Sequence, residues 1–184
     1  MPEQASVTAA LKVLLAQVAV FQALLLAATA LHKAVRWRRS LGVMQRFAGV
    51  PRALSAAAAG GAIATEVSAA VLLAVPTLRE AGAALAAVIW SVYLALIVRA
   101  IVQDRRDVDC GCSFGPNTSP LGGFHIARNV LLMALAVLVA GVSARGGVVA
   151  AEGSQLLAGF ALLALYGAVD QVMGLQPLRR GEVL

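Results

Sequence analysis

Five apolar runs, at 9–31, 53–75, 83–102, 126–142 and 155–175, leave this 184-residue chain few choices of fold. Each is close to the ~20 residues a helix needs to cross the hydrocarbon of a bilayer. Lipid offers no hydrogen bonds to a peptide group, so only helices and closed barrels span it. The runs show no strand-like alternation of polar and apolar positions, which leaves helices. Soluble domains average roughly 45–50% apolar and 25% charged residues, whereas this chain is 60% hydrophobic and 13% charged, with a mean hydropathy of +0.85. The expected fold is an all-α, polytopic membrane helical bundle, with residues 1–184 forming one integral membrane domain.

Charge refines that picture. The net charge of +6 does not point to nucleic acid, because the basic residues flank apolar runs and no soluble domain remains to carry a binding face. The lipid bilayer is their natural partner. Residues 1–8 read as a short polar leader, and the first run, closing on His32-Lys33, is too long for the apolar core of a signal peptide and reads as a retained span. A basic loop follows, with Lys33, Arg36, Arg38, Arg39, Arg46 and Arg52, and Trp37 as an interfacial anchor. Short connections make successive spans antiparallel. Twelve Lys and Arg then fall on the side of this loop, against Lys12, Arg79 and Arg145 on the other. The positive-inside rule puts the N-terminus outside and this basic side in the cytoplasm of a cell whose plasma (inner) membrane the chain crosses several times.

Within the second run, Gly60-Gly61 beside Ala56 to Ala59 offers a smooth surface for close helix packing. Glu66 interrupts the same run. A carboxyl at that depth costs about 2.5–3.5 kcal/mol and must face the bundle interior, protonated or paired. Two readings stand side by side: proton handling, or a purely structural hydrogen bond to Gln22 or Gln17 of the first span.

The longest polar interruption, 103–125, holds both cysteines, in Asp109-Cys110-Gly111-Cys112-Ser113-Phe114-Gly115. A disulfide needs Cα atoms about 4.4–6.8 Å apart, which a turn-forming tripeptide reaches, and the central glycine removes a side-chain clash in the small ring. Such a ring is strained, and strained disulfides are the exchange-competent ones. His125, Arg128 and Asn129 follow, spaced to share a helix face. Arg128, Lys33 or a protonated His125 favour a thiolate at Cys110 or Cys112, and Asp107 and Asp109 oppose it. Other readings stay open. Zinc on the cysteines with His125 is one, although Cys-x-Cys without a second cysteine pair is a weak metal signature, and no metal ligand set is assigned. Structural thiols and a permanent disulfide are the others.

Ala30-Leu31-His32-Lys33 closing the first span, Glu66 in the second, the Asp109–Gly115 cysteine motif after the third and Arg128-Asn129 opening the fourth together resemble the MauE family, which belongs with DoxX-like membrane proteins. The resemblance runs over roughly Leu14 to Ala140, and its specific part is the cysteine motif with the following Arg-Asn. Ser113 departs from the pattern, in which phenylalanine and glycine follow the second cysteine directly. The resemblance implies a DoxX-like four-helix core, here with a fifth C-terminal helix, and a redox-associated protein working with a thioredoxin-like partner on a disulfide-containing client. In methylamine metabolism that client is the disulfide-rich small subunit of methylamine dehydrogenase. The DoxX likeness adds a quinone as an acceptor chemistry.

The expected function is therefore that of a membrane thiol-disulfide oxidoreductase or electron-relay subunit, with Cys110 and Cys112 as the redox pair, His125 and Arg128 tuning the thiolate and Glu66 handling protons. A non-catalytic membrane scaffold, its cysteines structural or metal-bound, is the alternative. The charge rule and the resemblance disagree on one point, since maturing an exported client calls for thiols on the outer side. Labelling intact cells with a membrane-impermeant maleimide separates the two: with the basic side in the cytoplasm, Cys110 and Cys112 react only after lysis.

Overall fold

The computed structural model describes residues 2–105, 121–145 and 153–175. Its described secondary structure is helical throughout. In order, α1 spans Pro2–Val35, α2 Trp37–Arg46, α3 Ser55–Ala74, α4 Arg79–Val102, α5 Gly123–Ala144 and α6 Gly153–Leu175, with single 3-10 turns at Arg52–Leu54 and Pro76–Leu78. Five of these helices, all but α2, are long and apolar enough to cross a membrane. The all-α membrane bundle expected from the apolar runs is thus the observed architecture.

The element boundaries differ in instructive ways. The leader is helical from Pro2 onward, and α1 continues to Val35. The basic loop is not all loop: α2 fills half of it. Arg36 interrupts the helix with φ −101° and ψ 43°, yet its N–H still donates to the His32 carbonyl at 3.0 Å, and the Ser40 N–H to the Arg36 carbonyl at 3.0 Å. Helical bonding therefore passes through the bend. Ser40 and Val43 face inward, and Val43 joins Phe47, Ile97, Ala100 and Leu121 in a small apolar cluster. That buried strip, spaced three and four residues apart, is what makes so polar a segment a helix. The connection between the second and third apolar runs is shorter than the gap between them, because α4 already starts at Arg79. The Arg79 side chain, 3% exposed, donates from Nε to the Leu73 carbonyl at 3.3 Å and so satisfies one of the free carbonyls ending α3. In α5, Phe124 and His125 belong to the first turn, which brings that span to full length.

α1 is the hub of the bundle, packing against α3, α6 and α5, while α4 packs against α3 and α5. The main core combines Leu25 and Leu26 of α1, Ala69 and Leu73 of α3, Ala83 and Ala86 of α4 and Leu132 and Ala136 of α5. Alternating helix directions bring the end of α1, the whole of α2, the starts of α3 and α5 and the ends of α4 and α6 to one side.

Close packing depends on glycines other than the expected ones. Gly60 and Gly61 have open space where a Cβ would stand. At Gly82 a Cβ would lie 2.5 Å from the Leu73 backbone nitrogen, and at Gly159 2.5 Å from Val20 Cγ1. Gly82 sets the α3–α4 spacing, and Gly159 seats α6 on α1. Gly60 and Gly61 therefore stand away from any helix crossing, while Ala59 beside them is buried.

A contrast of variants follows. Gly82→Val forces two backbones apart and costs about 3 kcal/mol, seen as a loss of unfolding resistance in detergent. Gly61→Ala instead gains up to about 1 kcal/mol of helix propensity.

Candidate functional site

Glu66 lies eleven residues along α3 from Ser55, about 16 Å at the α-helical rise, and is 0% exposed. Its partner is not a glutamine. Lys33 Nζ, at the far end of α1, stands 2.5 Å from Glu66 Oε1. The Tyr93 hydroxyl on α4 donates to the same oxygen at 2.5 Å, and Lys33 Nζ also lies 3.2 Å from that hydroxyl and 5.1 Å from the ring centre. Three helices thus meet at one carboxylate. Glu66 Oε2 has no hydrogen-bond partner among the described residues. Gln22, expected as a structural partner of Glu66, instead accepts from Trp90 Nε1 at 3.0 Å and donates to the Leu132 carbonyl at 3.2 Å. Lys33 was counted above among the topological charges, but at 4% exposure it is a buried counter-ion.

A second buried ion pair lies at the start of α5. Arg128 Nη1 is 2.6 Å from Asp170 Oδ1 on α6, and the guanidinium carbon lies 5.8 Å from the Tyr166 ring centre. Tyr166 in turn packs on Phe21 of α1, with ring centres 6.0 Å apart. His125, 6% exposed, accepts at Nδ1 from the Gly122 backbone N–H at 3.4 Å, closing the helix start. Asn129 Nδ2 donates to the His125 carbonyl at 2.9 Å. The expected shared face of His125, Arg128 and Asn129 is therefore real, and all three are buried. The Arg128 guanidinium is committed to a carboxylate from the fifth span.

Cys110 and Cys112, with Asp107 and Asp109, lie outside the described residues. The chain on either side of them is described. After α4, Asp104 takes the left-handed conformation, with φ 54°, and the Arg105 N–H donates to the Ala100 carbonyl at 2.9 Å. The Arg105 guanidinium donates to the Arg46 carbonyl, which ends α2. On the other side Leu121, 2% exposed, sits in the cluster with Val43 and Phe47. Both flanks of the cysteine-bearing stretch are thus fastened to α2 and the end of α4. Among the described residues no cluster of three metal-ligating side chains occurs.

Tyr93 and Asp170 are the residues sequence reasoning did not assign, and Lys33, expected beside the thiols, is held by Glu66. For Asp170 the signal was available as a pairing problem, since neither Arg128 nor Asp170, each inside an apolar run, is able to stay buried alone; Lys33 lies just past the end of its run.

The comparisons with known proteins address the whole chain. The sequence model of the family described as Methylamine utilisation protein MauE matches residues 11–142. The chain belongs to the MauE family. A relative from Methylophilus methylotrophus, named Methylamine utilization protein MauE, is 32% identical over 157 residues, covering 84% of this chain and 83% of that protein. A second of the same name, from Paracoccus denitrificans, is 31% identical over 158 residues, 85% of each chain. No solved structure matches. The MauE family match ends before α6 begins, so Asp170, the counter-ion of Arg128, comes from beyond the stretch that match covers.

Removing one member of this second pair strands the other in a low-dielectric site. Arg128→Leu is expected to cost about 3–5 kcal/mol, and adding Asp170→Leu to it recovers much of the loss. Denaturant titration of the purified variants measures both.

Proposed function

We propose that this chain serves methylamine utilisation as a membrane thiol-disulfide exchange or electron-relay subunit working with a thioredoxin-like partner. The family supports the process: the two relatives bear that name. The observation that carries the chemistry is the Cys110-Gly111-Cys112 pair in a stretch whose two flanks, Arg105 and Leu121, are fastened to α2. The glycine-spaced ring keeps its disulfide reducible.

In the exchange, the thiolate of one cysteine attacks a sulfur of the partner's disulfide. One S–S bond breaks as another forms, and the released partner sulfur leaves as a thiolate. The second cysteine then attacks the mixed disulfide. The partner ends as a dithiol and the pair as a disulfide, with no further oxidant needed. The reverse sequence delivers a disulfide to the client. His125, in the first turn of α5 and thirteen residues after Cys112, tunes the thiolate, and Arg128 acts with its counter-ion attached, as a positioned dipole more than a free cation. Glu66 serves as the proton-handling group within the bundle.

Cys112→Ser leaves Cys110 able to attack but nothing to resolve the product. In native membranes this variant is expected to accumulate a mixed disulfide with a thioredoxin-like protein, visible as a reducible band after acid trapping of thiols. If the double Cys110→Ser, Cys112→Ser variant leaves the redox state of partner and client unchanged, the cysteines are structural and the scaffold reading replaces this one.

A further inference from the structure

We propose that Lys33, Glu66 and Tyr93 form a proton-exchange site loaded from the α2 side of the bundle through a recess at the α1–α2 bend. The proposal deepens the role given to Glu66 above and does not depend on the cysteine chemistry.

The geometry supplies both a store and an entry. Glu66 is sealed from solvent, with two donors on Oε1 and none among the described residues on Oε2. A buried carboxylate oxygen left without a donor has room for a proton, because an unpartnered buried acceptor is costly. Lys33 connects it outward. The same side chain lines an open recess together with His32, Arg36, Arg39, Ser40 and Met44. A lysine that touches a buried carboxylate on one side and a solvent-facing recess on the other is a relay, since an ammonium has three protons and a rotatable head.

The charged and titratable groups around Glu66 come from each helix packed on α3. α1 contributes Lys33 and, at the recess, His32; the bend contributes Arg36 and α2 Arg39 at the recess; α4 contributes Tyr93. Imidazole is the side chain that exchanges protons near neutral pH, so His32 is the lining group suited to refill Lys33. In the step itself a Lys33 N–H bond breaks as an O–H bond to Glu66 forms, leaving a neutral amine and a carboxylic acid. The amine then takes a proton from water or His32 in the recess. The site gains one proton and no electrons, and the Tyr93 hydroxyl keeps the carboxyl oriented throughout.

The decisive variant is Lys33→Arg, which preserves the ion pair but cannot release a proton, because a guanidinium stays protonated in proteins. Infrared spectroscopy of the full chain in nanodiscs reads the outcome. On acidification the protonated-carboxyl band of the wild type is expected to contain a component missing from Glu66→Gln, and transfer into D2O is expected to shift that component rapidly. In Lys33→Arg that exchange slows roughly a hundredfold, the scale of a lost positioned proton donor. Met44→Cys in a Cys110→Ser, Cys112→Ser background, once capped with a bulky thiol reagent, shows the same slowing, and before capping it matches the wild type. Circular dichroism establishes that each variant is folded. A Glu66 that remains a carboxylate at every pH, or an exchange rate indifferent to Lys33→Arg and to the capped recess, overturns the proposal. The cysteine-free background keeps this result separate from that of the thiol exchange, so either reading can fail alone.

Discussion

Charge inside hydrocarbon has to be matched, and two buried ion pairs that match it among the described residues organise this bundle. Lys33 with Glu66 joins α1 to α3, and Tyr93 brings in α4. Arg128 with Asp170 joins α5 to α6. The apolar surfaces of these helices, rich in alanine, leucine and valine, resemble lipid tails in chemistry and so specify little about which helix lies next to which. Buried ion pairs do specify it, because leaving one partner behind costs more than the pair itself yields. The register of α1 on α3, and the placement of α6 on α1 within reach of Arg128 of α5, are therefore written in four side chains.

Within that frame the polar interior divides by task. Gln22, Trp90 and the Leu132 carbonyl form a neutral chain of hydrogen bonds that ties α1, α4 and α5 together and leaves neither polar end of the Gln22 amide unused. The Glu66 cluster differs: one carboxylate oxygen is crowded with donors while the other is empty. Satisfied networks rigidify a core, and a partly filled one marks where a protein keeps something in reserve. The α2 helix serves a third task. By holding the Arg105 guanidinium at its C-terminal carbonyl and Leu121 against Val43 and Phe47, it turns a basic connection into the footing of the cysteine-bearing stretch.

Much of this was legible in the amino-acid order. The five apolar runs gave the spans, because hydrocarbon thickness dictates their length, and the isolation of Glu66 in one of them marked it as interior. The spacing of His125, Arg128 and Asn129 gave their common face. What was not legible depended on the third dimension. Lys33 reads as one more loop cation until α1 is known to continue to Val35, which keeps Lys33 on the helix with its amine on Glu66. α2 escapes notice because its apolar strip is only two residues wide, Val43 and Phe47, among five polar neighbours. Gly60 and Gly61 mislead for the opposite reason: small residues permit a close crossing, and only the placement of Leu73 and Val20 shows that Gly82 and Gly159 carry it.

The two ion pairs also impose an order on biosynthesis. A chain made from its N-terminus presents Lys33 to the membrane 33 residues ahead of Glu66, and Arg128 42 residues ahead of Asp170. In each pair the cation emerges first and has no counter-ion until the next partner helix arrives. Lys33 and Arg128 both belong to the side bearing α2, where headgroup phosphates and water can hold a positive charge in the interval. Insertion of α6 is then the closing event of assembly, since it alone brings the carboxylate that lets Arg128 leave the interface.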